Sequence, residues 1–187
     1  MFFKRKGIVK IGKIPKELNL KTLNMIEELE WDFDNQRQKT YKPHKDTKSI
    51  ILRFKPKWVL DLESANCYDG ESYQLEYYPL FYKYKHLVSE YLNILSKTYE
   101  ISDYGCMIVK LKPNGLISPH IDVGNYFTNC RRIHIPLKTS NKVKFYFDKK
   151  ETKMKVGNFY QIDNTKISHS VHNDGDIGRI HIIFDLF

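Results

Sequence analysis

The sequence is poor in cysteine: only Cys67, Cys106 and Cys130 occur among its 187 residues. Their odd number and wide spacing do not suit a disulfide framework. No Cys-x-x-Cys pair occurs, so a structural zinc site built on cysteines is not predicted. We therefore expect reduced thiols and a cytoplasmic location.

Long hydrophobic runs are also missing. No segment approaches the roughly 18 apolar residues that a membrane-spanning helix requires. Residues 1–15 contain no apolar stretch long enough for a secretory signal. We expect neither a membrane span nor export. The hydrophobic fraction of 41% is nevertheless typical of a globular protein with a packed core.

Acidic residues are too few to balance the basic ones, and the net charge is +9. A basic surface can attract nucleic acid or another anionic partner. The lysines, however, are scattered along the chain and form no single block, as on an ordinary solvated surface. The charge favours this second interpretation and leaves a nucleic-acid partner open.

The first half of the chain combines helical and strand patterns. Residues 15–30 and 79–99 each begin with proline and carry apolar residues at helical spacing, which predicts two helices. Residues 49–54 predict a strand. The segment that follows, 56–62, is expected to lead into a loop.

From about residue 104 the hydrophobic pattern changes to period two. Short β-rich runs separated by turn residues then follow at 106–112, 131–138, 143–148, 157–163, 167–173 and 179–185. Such a series predicts an antiparallel sandwich or barrel. With the earlier helices, the sequence predicts an α+β fold: a double-stranded β-helix (jelly roll, cupin-like) core with N-terminal helices packed against it.

No repeat or low-complexity linker divides the chain. We therefore predict a single domain over residues 1–187. Within it, residues 1–103 are expected to form a helical or mixed cover, and residues 104–187 the jelly-roll core.

Five of the seven histidines lie at or beyond position 120, within the predicted strands. Three pairs of polar residues share a strand face by parity: His120 with Asp122, Arg132 with His134, and Arg179 with His181. Isoleucines alternate onto the opposite face. An ordinary sandwich, with its isoleucines inside and its polar side chains in water, would explain any single pair.

The combination of these residues favours a metal site. Two histidines and one carboxylate on one side of Fe(II) leave coordination positions for a bidentate cosubstrate and O₂. His120, Asp122 and the later His169 supply such a set. Arg179 follows ten residues after His169, and a guanidinium suits bidentate binding of a carboxylate.

These segments resemble the aspartyl/asparaginyl β-hydroxylase family of Fe(II)/2-oxoglutarate-dependent oxygenases. The shared features are His-x-Asp at 120–122, R-x-H-x-P-L at 132–137, DN…HSV at 163–171 and R-I-H-x-x-F-D at 179–185, in that order. The resemblance covers roughly residues 104–187. It is strongest to the small bacterial and viral members and to the free-proline hydroxylases grouped with them.

The resemblance implies an enzyme, a 2-oxoglutarate/Fe(II)-dependent dioxygenase. Such an enzyme would hydroxylate a C–H bond of an amino-acid side chain, in a protein or peptide or as a free amino acid, and release succinate and CO₂. Its cofactors would be Fe(2+) and 2-oxoglutarate, with O₂ as cosubstrate. The similarity to viral members also allows a viral or phage origin, with the protein acting in the host cytoplasm.

Carried over by position, the resemblance assigns the iron to three residues: His120, Asp122 and His169. Arg179 would bind the distal carboxylate of 2-oxoglutarate, and Arg132 and His134 would line the cosubstrate pocket. The animal endoplasmic-reticulum member has glycine where Asp122 stands. This chain keeps the carboxylate, as the small members do.

Further candidates are less specific. Arg37, His44 and Arg53, in the helical half, are candidates for contacting an anionic substrate. His172 is expected to face away from the metal, and His181 is expected to pack beside Arg179.

Two other functions stay open. One is a nucleic-acid-modifying 2-oxoglutarate dioxygenase, which the net charge of +9 encourages. The other is a catalytically silent cupin-like binding module. The intact metal-binding set and Arg179 argue against a silent module, and no base-stacking or phosphate-binding cluster supports the nucleic-acid enzyme.

Overall fold

The computed structural model describes residues 7–33, 38, 42–64 and 73–187. Arg37 and Cys67, named above, lie outside these ranges. Within them, no helix combines the length and the apolar character needed to cross a membrane. The two cysteines in these ranges, Cys106 and Cys130, are free thiols.

The strands of the described residues form two sheets. In chain order they are β1 (Ile8–Lys13), β2 (Thr47–Phe54), β3 (Glu76–Tyr77), β4 (Tyr104–Leu111), β5 (Leu116–His120), β6 (Arg131–Lys138), β7 (Val143–Phe147), β8 (Lys150–Thr152), β9 (Asn158–Ile162), β10 (His169–Asn173) and β11 (Arg179–Leu186). The larger sheet has the order β1-β9-β6-β11-β4-β2-β3, and the smaller has the order β5-β10-β7-β8. The pairings within both are antiparallel. This architecture confirms the predicted jelly roll.

The helices differ in part from the sequence prediction. The described helices are α1 (Lys16–Met25), α2 (Lys57–Ser64), α3 (Phe81–Leu95) and α4 (Asn125–Thr128), with short 3-10 helices at Glu28–Asp32 and Lys42–His44. The predicted helix over 15–30 ends early, because the backbone turns extended at Ile26. The loop expected at 56–62 is wrong: α2 forms there because Val59 and Leu60 are fully buried and draw the segment onto the protein.

Helices α1 and α3 cover one face of the larger sheet, and this face carries the isoleucines. Ile133 of β6 and Ile182 of β11 belong to the same buried cluster as Leu18 of α1 and Leu87 and Tyr91 of α3. Burial of such side chains contributes about 1.5–3 kcal/mol each before the entropy of ordering is subtracted. The helices are therefore fixed on the sheet by apolar contacts.

The opposite face of the larger sheet looks toward the smaller sheet across a cavity. Arg132, His134 and Arg179 of the larger sheet line this cavity together with Phe145 and Val171 of the smaller one. Both faces of the larger sheet are thus buried, one by helices and one by the second sheet. Because the helices cover the isoleucines, the polar side chains face the interior of the jelly roll and not water.

Two strands of the larger sheet come from the first half of the chain. Strand β1 pairs with β9 at one edge, and β2 pairs with β4 near the other. The predicted helical or mixed cover, residues 1–103, contains these strands in addition to its helices. The first half therefore contributes strands as well as helices, because its β-forming segments find partners more than 50 residues away.

Candidate metal centre

Strand β5 ends at His120, and Asp122 lies in the loop that follows. The expectation that both residues lie on one strand face is therefore wrong. The backbone N–H of Asp122 donates to the carbonyl oxygen of Asn164 at 2.8 Å. This bond turns the loop back, so that Asp122 is buried while its neighbours Ile121 and Val123 are exposed.

His120 and His169 face each other across the smaller sheet. They are directly paired residues of β5 and β10, and their ring centroids lie 4.3 Å apart. Nδ1 of His120 lies 2.7 Å from the carbonyl oxygen of Ser118. Because a carbonyl only accepts, Nδ1 is the donor in this contact, and Nε2 is the ring nitrogen available for a metal, as in histidines that bind metals.

The two carboxylate oxygens of Asp122 have different hydrogen-bond partners. Arg132 Nη1 and Asn164 Nδ2 donate to Oδ2 at 2.6 and 2.8 Å, whereas Oδ1 lies 3.4 Å from His120 Nε2. Burial alone would raise the pKa of Asp122, but the charge of Arg132 and the contacts with His120 and Asn164 outweigh it and hold the pKa well below its ordinary value. Asp122 is therefore a carboxylate at neutral pH, with Oδ1 directed toward the histidines.

His44 completes the tightest cluster of metal-binding groups. One ligand atom each of His44, His120 and Asp122 lies within 4.8 Å of the others, and no further group of this kind is found among the described residues. The His44 ring meets the His120 ring edge-on at a centroid distance of 5.0 Å. His169 lies outside this group but against the His120 ring. The structure thus brings His44, predicted as a substrate contact, close to His120 and Asp122, two of the predicted metal ligands.

Arg132 is held by two carboxylates. Besides its bond to Asp122, it donates from Nε and Nη2 to the two oxygens of Asp185 at 2.7 and 2.9 Å. Asp185 also accepts a hydrogen bond from the Tyr126 hydroxyl at 2.9 Å. These buried charges sum to −1, so a divalent cation beside Asp122 would offset uncompensated negative charge. Arg132 lines the cavity between the sheets, and its guanidinium is directed at the carboxylates; its predicted place in a cosubstrate pocket stays a prediction.

Arg179 lies at the inner end of the same cavity. Its side chain is 1% exposed, and its guanidinium stands 5.5 Å above the ring of Phe145. His134 and His181, which lie 3.3 Å apart between their Nδ1 atoms, are neighbours of Arg179. Burial lowers the pKa of both histidines well below the ordinary value, and the charge of Arg179 lowers it further. Both are therefore neutral at pH 7, and Arg179 carries the positive charge at this end.

The remaining predicted residues lie elsewhere. Arg53 forms a salt bridge with Asp103 and stacks on the ring of Tyr104 at 4.9 Å. It is not among the described residues that line the cavity. His172 packs on the ring of Tyr146 at 5.1 Å, and Arg37 is outside the described residues.

A comparison with family models decides the relationship of this chain to known proteins. The model described as Aspartyl/Asparaginyl beta-hydroxylase matches residues 72–187, which is more than half of the chain. The chain belongs to this family. The match begins upstream of the resemblance seen in the sequence and includes α3. No curated protein sequence matches the chain.

Solved structures show where the fold of this hydroxylase recurs. A prolyl hydroxylase from Trichoplax adhaerens, in complex with a peptide fragment of the hypoxia inducible factor oxygen degradation domain, is 13% identical over 98% of this chain and 84% of that chain, with a TM-score of 0.59. A prolyl-4-hydroxylase from Pseudomonas putida is 10% identical, over 97% and 92%, with a TM-score of 0.56. The viral collagen prolyl hydroxylase from Paramecium Bursaria Chlorella virus-1, in its 2OG complex, is 13% identical, over 99% and 98%, with a TM-score of 0.53. At these identities the likeness shows the fold.

The residues of this hydroxylase fit the cofactors of its family, Fe(II) and 2-oxoglutarate. The buried Nε2 of His120 makes no hydrogen bond within the described part of the chain, and a metal ion would satisfy it. The net charge of −1 around Asp122 suits a divalent cation. The buried guanidinium of Arg179, which lines the cavity, suits a carboxylate. Fe(II) and 2-oxoglutarate are therefore the cofactors of the enzyme.

Two residues that support Asp122 escaped the sequence analysis. Asn164 binds Asp122 directly, and Asp185 acts through Arg132. Both stand in segments recognised by resemblance, Asn164 in DN…HSV and Asp185 in R-I-H-x-x-F-D. The order of the motifs was visible, but the hydrogen bonds between residues 42 and 53 positions apart were not.

Replacing Asn164 by alanine is expected to weaken metal binding by about 10- to 100-fold, the range for partners that orient a metal ligand. The variant keeps the backbone bond to Asp122 and removes only the Nδ2 donor at Oδ2. Titration with Mn(II), a stand-in for Fe(II), measures the effect. Asn158→Ala is the matched control, because Asn158 binds only the carbonyls of Lys155 and Val156. Equal affinity in both variants would show that Arg132 alone orients Asp122.

Proposed function

We propose that this enzyme hydroxylates a C–H bond of an amino-acid side chain, in a protein or peptide or as a free amino acid, and converts 2-oxoglutarate to succinate and CO₂. The proposal is carried by one observation. His120, His169 and Arg179 line a single cavity between the two sheets, and Asp122, whose Oδ1 lies 3.4 Å from His120 Nε2, lines a second cavity that shares His44, His120 and Arg132 with the first. This arrangement offers a metal and a dicarboxylate a common site.

The proposed iron ligands are His120, Asp122 and His169. Two imidazoles that bind one ion at right angles, each with a metal–nitrogen distance near 2.1 Å, have ring centroids about 4.5 Å apart. The separation between His120 and His169 is 4.3 Å. This separation is compatible with a shared ion, but no ligand atom of His169 lies within 4.8 Å of those of both His120 and Asp122, so the His169 side chain would have to turn before all three could bind. Arg132 and Asn164 would hold Asp122 so that Oδ1 completes the set.

Arg179 is proposed to bind the distal carboxylate of 2-oxoglutarate. Its guanidinium matches a carboxylate in a bidentate geometry. The same cavity is lined by the apolar residues Ile117, Phe145 and Val171, and burial in such surroundings strengthens the interaction of opposite charges. His134 lines the cavity between Arg132 and Arg179 and is neutral. It would direct the cosubstrate by hydrogen bonding and not by charge.

Bound Fe(II) and 2-oxoglutarate together supply an oxidant from O₂ that attacks an unactivated C–H bond. The protein's own groups orient the substrate and keep water away. Phe54, Met107 and Phe127 line the neighbouring cavity that holds Asp122, and they would hold the carbon chain of a substrate against the metal centre. No acid or base from the protein is required for removal of this hydrogen.

The experiment is an assay of the purified chain with Fe(II) and 2-oxoglutarate. Free proline, aspartate, asparagine and arginine, a proline-containing peptide and a protein extract are the candidate substrates. Substrate-dependent release of succinate together with a mass increase of 16 Da supports the proposal. The His120→Ala protein serves as the inactive control. Failure of every amino-acid substrate, with a 16 Da gain on an oligonucleotide, would instead support the nucleic-acid enzyme.

A further inference from the structure

His44 is a histidine for which the proposed reaction has no assigned use. It is the last residue of the 3-10 helix Lys42–His44 and is 8% exposed. This helix packs against β5, the strand that ends at His120. One ligand atom of His44 lies within 4.8 Å of ligand atoms of both His120 and Asp122.

The rings of His44 and His120 have the separation expected of two ligands on one ion. Two imidazoles bound to one ion at right angles have ring centroids about 4.5 Å apart. A slightly larger separation corresponds to a nitrogen–metal–nitrogen angle somewhat above 90°. The centroids of His44 and His120 are 5.0 Å apart, and those of His120 and His169 are 4.3 Å apart. The two separations lie on either side of this value, and of the two rings only that of His44 also has a ligand atom within 4.8 Å of ligand atoms of both His120 and Asp122.

The backbone that carries His44 is fixed against the sheets. The Thr47 hydroxyl donates to the carbonyl oxygen of His44 at 2.7 Å. Asp46 forms a salt bridge with Lys112 at 2.8 Å and accepts the backbone N–H of Leu116 at 3.0 Å. These contacts tie the segment to the connection between β4 and β5. The position of His44 near the metal-binding residues is therefore held by the fold.

We propose that His44 is a third histidine ligand of the metal in the resting enzyme. With His120, Asp122 and His169 it would give four protein ligands, and the two donor atoms of 2-oxoglutarate would then complete the set around the ion. A further position then opens only when His44 moves away. His44 lines both the cavity between the sheets and the neighbouring cavity that holds Pro43, Asp122 and Phe127, so a substrate side chain that entered through the neighbouring cavity would contact it. Substrate binding displaces His44 and opens the centre.

This inference rests on the proposed metal centre, but its test needs no turnover. The full chain is loaded with Co(II) as a stand-in for Fe(II), and X-ray absorption counts the imidazoles bound to the ion. Three are expected in the unsubstituted protein and two in His44→Gln. The Co(II) affinity of the variant is expected to fall by about tenfold. His172→Gln is the matched control, because His172 packs on Tyr146, and it should retain three imidazoles and full affinity.

A second variant guards against a change in folding. His44→Gly leaves a space in which free imidazole can replace the lost ring, and added imidazole is expected to restore the Co(II) absorption spectrum of the unsubstituted protein. An unchanged imidazole count and Co(II) affinity in His44→Gln would overturn the proposal. So would a His44→Gly spectrum that does not respond to imidazole. If these spectroscopic results hold but no substrate yields succinate, the proposed function fails and the assignment of His44 stands.

Discussion

Replacing Asp122 by alanine is expected to abolish succinate release. Removal of a residue that only orients a metal ligand lowers activity by up to about 100-fold. We expect the rate of succinate release to fall by more than this, because Asp122 would be a ligand itself. Asp122 supplies the one carboxylate of the proposed iron set, and its Oδ1 stands 3.4 Å from His120 Nε2. Its removal also changes the summed charge of Asp122, Arg132 and Asp185 from −1 to zero. Turnover with saturating 2-oxoglutarate and Mn(II) titration of the same protein measure the two consequences separately.

The fold should survive this substitution. Arg132 keeps its two bonds to Asp185, so no buried charge is left without a partner. Asp174→Ala is the control, because Asp174 pairs at the surface with Lys144 at 3.1 Å, where an ion pair contributes only about 0–1 kcal/mol. The control should retain full activity and metal affinity.

The alanine variant also compares this chain with the animal member of the family, which has glycine at this position. Normal turnover in Asp122→Ala would contradict the assignment of the carboxylate as a ligand, but not membership of the family. Loss of turnover with retained Mn(II) affinity would indicate that His44 and the remaining histidines hold the ion, while Asp122 is needed for the reaction.

The polar residues of the centre could be predicted from short-range pattern, because a strand's parity is local. Arg132 and His134 share a face of β6, and Arg179 and His181 share a face of β11, as expected. The same reasoning failed at Asp122, because nothing within a few residues shows that β5 ends at His120. The hydrogen bond from the backbone N–H of Asp122 to the carbonyl oxygen of Asn164 fixes the path of this loop. It joins segments that are distant in the sequence, so a local pattern does not reveal it.

The contribution of the first half of the chain was less predictable for the same reason. His44 reaches the metal centre only because Asp46 is anchored to Lys112 and Leu116. Strand β1 is stabilised by its pairing with β9. Its own residues therefore give little indication that the segment forms a strand. Parity likewise predicted two chemically different faces of the larger sheet but not that α1 and α3 cover the isoleucines. Contacts between distant residues, which a single sequence does not reveal, supply this information.

Replacing Arg179 by methionine is expected to raise the 2-oxoglutarate concentration needed for half-maximal rate by about 30- to 900-fold. This range corresponds to about 2–4 kcal/mol for a charge-assisted, bidentate hydrogen-bonded contact. Methionine is unbranched and adaptable, so it should fill much of the space beside Phe145 without leaving a large cavity. Because the anchor binds the end of the cosubstrate remote from the reacting atoms, kcat at saturating 2-oxoglutarate should fall much less than kcat/KM.

Two further variants separate charge from shape at this position. Arg179→Lys keeps the positive charge but loses the planar, two-pronged donor, so its KM for 2-oxoglutarate should lie between those of the unsubstituted protein and Arg179→Met. Arg131→Met is the control, since Arg131 is exposed at the start of β6 and stands 6.0 Å from the ring of Tyr99. Its KM should not change. If Arg179→Met had an unchanged KM for 2-oxoglutarate, the cosubstrate carboxylate would have to bind elsewhere. His134 and His181 would be poor substitutes, because burial keeps both neutral at pH 7, and neutral imidazoles provide no full positive charge for the carboxylate.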